Sequence, residues 1–148
     1  MSNDLHTTVR DRLRRSRQRY TSGRQALVGL LLGSGRPMTI TDLLDTGADQ
    51  SQSSLYRNLA ILEQCGVVRR LSSVDDLARY ELDEELTGHH HHHLVCTDCG
   101  RVDDVTFPDD FEASLSRAAE GVVDRHGYRL DAHHLELTGV CGDCDRVG

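Results

Sequence analysis

Two cysteine pairs of the form Cys-x-x-Cys, Cys96 with Cys99 and Cys141 with Cys144, constrain this chain more than any other feature. A two-residue spacer lets both sulfurs of a pair reach one ion, and a glycine follows both Cys99 and Cys141. Four thiolates in a closed tetrahedral array select zinc over oxygen-preferring ions. With forty-one residues between the pairs, a shared ion ties the C-terminal segment back to position 96. Sites of this kind contribute on the order of 10–16 kcal/mol in small zinc peptides, enough to decide whether a small domain folds. Directly before the first pair stand five histidines, His89 to His93, more imidazole than one ion uses. The pattern predicts one metal held for structure and another handled for a purpose.

A chain of 148 residues makes one domain or two small ones, and two half-size cores need a staple of this sort. No hydrophobic signal segment opens the sequence. Its longest apolar stretch, Ala26 to Leu32, contains a glycine and is too short to span a bilayer. The expectation is a soluble, cytoplasmic protein with no membrane partner, in a compartment where paired cysteines bind metal rather than form disulfides. Cys65 has no mate and is expected to be a small buried residue. Charge is unevenly placed. Residues 1–24 hold seven arginines against Asp4 and Asp11, residues 1–88 balance at zero, and residues 89–148 carry the whole net charge of −7. A basic patch on one half and an acidic second half is the footprint of a nucleic-acid binder with a separate regulatory module.

Hydrophobic spacing supplies the elements. Ala26, Leu27, Leu30 and Leu31 recur at helical intervals up to Gly33-Ser34-Gly35. Thr39 suits the N-cap of a short helix holding Ile40, Leu43 and Leu44. A third helix opens at Ser51 to Ser54 and buries Leu55, Leu59 and Leu62, leaving Tyr56, Arg57 and Asn58 off the stripe. Val67 to Leu71 and Leu77 to Leu82 read as strands joined by a polar turn. Three helices followed by a hairpin is the order of a winged helix-turn-helix. The predicted class is α+β: a winged-helix domain over residues 1–83 with a basic extension or helix at 1–20, a hinge at 84–88, and a small α/β unit over 89–148 carrying the four-cysteine site. In that unit Leu94 to Cys96, Arg101 to Phe107, Leu130, and Leu135 to Val140 read as strand, and Phe111 to His126 as helix. An extended histidine run alternates its side chains. His90 and His92 then point one way and His91 and His93 the other, so one ribbon can serve two ions.

The stretch His90-His91-His92-His93-Leu94-Val95-Cys96-x-x-Cys99-Gly100, with His126-Gly127-Tyr128, His133 and Gly139-x-Cys141-x-x-Cys144, closely resembles the ferric uptake regulator family of metal-dependent repressors. Ser54-Leu55-Tyr56-Arg57-Asn58-Leu59 resembles that family's recognition helix, and the likeness runs from about Thr21 to Cys144. The resemblance implies a homodimer that binds an inverted-repeat DNA operator when loaded with metal. It implies a dimerisation-domain site of His90, His92, Glu112 and His133. It also implies a sensory site at the hinge built from His91 and His93 with Glu81 or Asp83. DNA contacts fall to Ser54, Tyr56 and Arg57 on the recognition helix and to Arg15, Arg17 and Arg19 before it. Zinc is favoured as the sensed ion, with ferrous iron next, because His92 stands where iron-type members often carry aspartate. This points to a member like the zinc uptake regulators. Iron-type members often supply a histidine near Pro37, which cannot ligate, and Gly23 replaces a glutamine common in the family.

Other classes fit less well. A zinc hydrolase with Glu112 as base lacks an H-E-x-x-H motif and leaves the basic segment unexplained. A zinc-storage module has no use for a winged helix. A peroxide sensor of the same family is the nearest alternative, but histidine and cysteine richness alone does not argue for it. No enzymatic activity and no small organic substrate are expected.

Overall fold

The computed structural model describes residues 2–147. Its first helix, α1 (Ser2–Arg15), places Leu5, Val9 and Leu13 four residues apart on one buried face. The basic segment is therefore half core: Arg10, Arg14 and Arg15 are exposed on the helix, while Arg12 is half-buried and reaches Gly66 O and Glu85. Helix α2 (Ser22–Ser34) starts on Thr21, whose hydroxyl accepts from Arg24 N, and ends at Gly35 in the left-handed region. Thr39 and Asp42 form a reciprocal capping box at α3 (Ile40–Asp45). Ser51 caps α4 (Gln52–Gln64), which buries Leu55, Leu59 and Leu62 as the spacing predicts. These join Leu27, Val28, Leu31, Leu43, Val67 and Tyr80 in one apolar core. Each fully buried leucine contributes about 1.5–3 kcal/mol.

An antiparallel hairpin covers that core, β1 (Val68–Leu71) against β2 (Arg79–Leu82), with Arg69 opposite Glu81. Met38 adds a bridge to Tyr80 on the other edge of β2. The second strand begins two residues later than expected because Asp75 organises the turn. Its carboxylate accepts from Leu77 N at 3.1 Å and from both Arg79 terminal nitrogens at 2.8 Å.

A single helical turn, α5 (Glu84–Thr87), follows where a bare hinge was expected; Asp83 caps it and Gly88 ends it at φ 70°. The second sheet has order β4-β3-β5, with β3 (His92–Cys96) antiparallel to β4 (Val102–Val105) and parallel to β5 (Glu136–Gly139). Helix α6 (Asp109–Arg125) makes the crossover, and the short α7 (Gly142–Val147) carries Cys144. The strand expected over Arg101 to Phe107 is four residues long, and Leu130 lies outside any strand. The fold is α+β, as the element order predicts.

Candidate metal centres and nucleic-acid face

Three groups of donors converge among the described residues, and β3 contributes to all of them. Its end carries Cys96, whose sulfur accepts from the backbone of Cys141 at 3.3 Å and Cys99 at 3.5 Å. Those amides hold the Cys96 thiol down at about 6. Cys144 is pushed up by the neighbouring sulfurs of Cys141 and Cys99. Cys99 Sγ and Cys141 Sγ lie 3.9 Å apart, and all four sulfurs fall within 4.8 Å of one another. A disulfide needs roughly 2.05 Å, whereas about 2.3 Å zinc–sulfur bonds give a tetrahedral edge near 3.8 Å. The donor set is that of a closed zinc site. Thr97 N donating to Gly139 O at 2.7 Å, and the β3–β5 pairing, bring the two halves of the site together.

Alternation along the run leading into β3 separates His90 and His92 from His91 and His93. On one side lie His90, His92, Glu112 and His133, donor atoms again within 4.8 Å. Glu112, in the first turn of α6, takes His92 Nε2 at 2.7 Å on one oxygen and His133 Nε2 at 3.1 Å on the other. His90 Nε2 faces His133 Nε2 at 3.2 Å. Burial opposes charge on Glu112, but the hydrogen bonds from His133 and His92 outweigh it and hold its carboxyl below the usual range.

The other side gathers Glu81, His91, His93 and Asp104. Glu81, almost fully buried at the end of the hairpin, meets His91 Nε2 at 2.9 Å and His93 Nε2 at 3.1 Å through different oxygens. Burial would raise its pKa, yet hydrogen bonds from His93 and His91 bring it to about 2. Asp104 stands directly across the strands from His93. Its Oδ1 lies 3.5 Å from His91 Nε2 and 3.6 Å from His93 Nε2, is buried, and has no hydrogen-bond partner. Burial first, then the Glu81 charge, push Asp104 up to about 6. Two carboxylates and two neutral imidazoles match the charge of a dication, and the orphaned oxygen is aimed where a cation would sit. This donor set fits a divalent metal.

Asp83 does not join it. The strand ends at Leu82, so the carboxylate turns to cap α5, accepting from Glu85 N at 3.0 Å. Of the two carboxylates the sequence offered, Glu81 joins the cluster, and Asp104 adds a second that the sequence reading did not name. The available signal was an acidic pair, Asp103-Asp104, inside the segment read as strand over Arg101 to Phe107; its pairing with the histidine strand is seen only in the structure. A cavity of about 670 Å³ between the two halves reaches this cluster at Glu81, His91 and Asp104, with His89 on its wall.

On the first half, Tyr56 is half exposed and Arg57 is exposed, both off the buried stripe of α4. Ser54 is partly engaged by the cap through Ser51 Oγ at 3.0 Å. Arg15, Arg17 and Arg19 are exposed. The backbone at Arg19 is tied to α4 by Arg24, which donates to Arg19 O at 2.6 Å and to Asn58 Oδ1 at 3.1 Å. Asn58 in turn donates to Gln50, and Gln50 to Gly23 O at 2.8 Å. A side chain at Gly23 would press on that Gln50 amide.

A helix-rich half with an exposed basic and aromatic face, joined through a histidine and carboxylate cluster to a half closed by four cysteines, defines a metal-responsive regulator. The model of the ferric uptake regulator family matches residues 15–138, and the chain belongs to that family. A ferric uptake regulation protein of Neisseria meningitidis is 38% identical over 106 residues, 72% of this chain and 68% of the relative. One from Bacillus subtilis is 29% identical over 143 residues, covering 93% and 92%. The solved Helicobacter pylori ferric uptake regulator shares the fold with a TM-score of 0.76 at 21% identity, covering 98% of this chain and 94% of that one. No helix among the described residues is long and apolar enough to cross a membrane.

Proposed function

We propose that this protein is a transcriptional repressor that binds duplex DNA as a metal-loaded homodimer, with zinc the favoured signal. The observation that carries this reading is the composition of the third cluster: Glu81 comes from the hairpin of the first half, His91, His93 and Asp104 from the second. A dication held there would neutralise both carboxylates and pin one half to the other. With the halves fixed, α4 projects at a set angle from the dimer. Tyr56 then packs on thymine methyls and Arg57 and Ser54 reach phosphates or base edges. Arg15, Arg17 and Arg19 contact backbone or an A/T-rich minor groove. Without that restraint, Glu81 and Asp104 repel, the halves separate, and two recognition helices lose their common spacing.

Four cysteines hold zinc structurally, and His90, His92, Glu112 and His133 form a further site. The Helicobacter pylori relative is described as having three functional metal binding sites, the same number as the donor clusters found here. Exposed Phe111, Val122, Leu137 and Val140 on the second half supply an apolar face for a second copy. Ferrous iron is the second reading for the hinge, supported by the two hard carboxylate oxygens of Glu81 and Asp104.

The test is DNA binding against metal. A duplex selected from a random library by zinc-loaded protein should bind roughly 5–150-fold more tightly with zinc than after chelation. A His91→Ala/His93→Ala protein should lose that increment and stay dimeric. Equal affinity with and without zinc or anaerobic ferrous iron would contradict the reading.

A further inference from the structure

One carboxylate that belongs to none of the three clusters touches two of them. Glu84, first residue of α5, places Oε2 3.0 Å from His90 Nδ1. Its Oε1 accepts from the backbone N–H of His91 at 3.3 Å and lies 3.9 Å from Arg69 Nη1. The other Arg69 nitrogen donates to Glu81 Oε1 at 2.9 Å. Glu84 thus stands between the ligand strand β3 and the hairpin, on the one helical turn that joins the two halves.

Hydrogen-bond chemistry gives this contact a consequence. A carboxylate only accepts, so the proton of His90 sits on Nδ1 and the lone pair of Nε2 faces His133 and Glu112. His92 is set the opposite way. Leu135 N donates to its Nδ1 at 3.0 Å, so the neutral ring carries its proton on Nε2, pointed at Glu112. The two histidines of one cluster therefore differ: His90 is already in the form that ligates through Nε2, and His92 must exchange its proton to do so. His90 is also the most exposed of the set, 37% by side chain, and Glu84 is the partner that engages its Nδ1.

We propose that Glu84 is a positioning residue that presets His90 for metal and thereby links occupancy of the His90, His92, Glu112 and His133 cluster to the order of α5 at the hinge. Partners of metal-bound histidines that accept from the second ring nitrogen typically govern affinity by roughly 10–100-fold. By reciprocity, whatever metal binding gains from an ordered Glu84, the hinge turn gains from metal binding. The second cluster then acts on domain orientation through a residue of the chain, separately from the ion shared by Glu81 and Asp104. The inference rests on the reading of this cluster as a metal site.

Nitrogen-15 spectra of the histidine rings in metal-free protein, with zinc titrations of the full chain, test it. In the native protein His90 should show an Nδ1–H tautomer. In Glu84→Ala that preference should be lost and zinc affinity at this cluster should fall roughly 10–100-fold, with the four-cysteine zinc retained. Glu84→Gln, whose carbonyl oxygen still accepts from Nδ1–H, should recover most of both. Zinc should slow amide exchange at Leu86 to Gly88 in the native chain but not in Glu84→Ala. A Glu84→Ala protein with native tautomer and native affinity would overturn the proposal. His133→Ala serves as the control: if it leaves zinc binding at this cluster intact, the reading of the cluster fails and the proposal with it.

Discussion

The two halves of this molecule hold themselves together by different means. Residues 5–82 contain the whole of the main apolar core, with Val9, Leu13, Leu27, Leu43, Leu55, Leu59 and Leu62 fully enclosed. In the second half, α6 has no buried residue and β5 is exposed along its length, while Phe111, Val122, Leu137 and Val140 face outward. The buried side chains there lie along β3 and β4: His92, His93, Val95, Cys96 and Val102. The first half is stabilised by removing leucine from water; the second concentrates metal donors and leaves large apolar side chains exposed. The difference teaches where control resides. A half with few buried apolar side chains and three donor clusters is poised to respond to metal, and a half with a complete core can be moved as a rigid body.

The sharpest way to break this contrast is to remove a sulfur. Cys96→Ser should release the structural zinc, worth on the order of 10–16 kcal/mol in small zinc peptides, and unfold the second half, while the helical core of the first survives. Zinc content and a thermal melt followed by circular dichroism check this; a folded dimer lacking that zinc would end the argument. Leu59→Ala should do the reverse. It should destabilise the first half by about 2–5 kcal/mol and leave zinc stoichiometry untouched, as read by denaturant unfolding and elemental analysis. Tyr56→Ala, at a half-exposed position, should change neither stability nor metal content. It should weaken binding to the selected duplex by about 1–3 kcal/mol, the usual worth of a good base contact, measured by fluorescence anisotropy.

A smaller effect sharpens the picture of the hinge. Protons compete with metal at Asp104, raised to about 6 by burial and by Glu81, and at His91, raised by the Glu81 hydrogen bond and charge against the pull of burial. Both groups must release protons to ligate, so affinity falls as pH drops, through the region near 6 for Asp104 and from above the ordinary imidazole range for His91. Zinc titrations at about pH 7.5 and about pH 5.5 should differ by roughly tenfold per unit for each proton displaced. Asp104→Asn should flatten that dependence. An unchanged slope would remove Asp104 from the donor set.

Much of this was legible in the residues because the relevant signals are local. Leucine spacing in α4 gave its inward face directly, and Thr39, Ser51 and Gly35 marked helix ends by chemistry that acts within a turn. Alternation along an extended strand divided His90 and His92 from His91 and His93 before any register was known. What escaped depends on distant pairing. Asp104 reaches the hinge only because β4 pairs with β3 in the register that sets it opposite His93. Asp83 leaves because the chain bends into α5 one residue after the strand. Glu84 and Arg69 were unreadable for the same reason: their meaning lies in ion pairs across the hinge. The buried face of α1 was hidden by its arginines, although Leu5, Val9 and Leu13 keep helical spacing.

Amide hydrogen exchange of the full chain, compared between zinc-loaded and chelator-stripped protein, tests the central contrast most directly. Protection in α2 and α4 should be the same in both states, because the core they share contains no metal donor. Protection in β3, β4, β5 and α6 should collapse when zinc is removed, and the amides of α5 should follow. If the second half keeps its protection without metal, or if α2 and α4 lose theirs with it, the division into a self-sufficient half and a metal-dependent half is wrong.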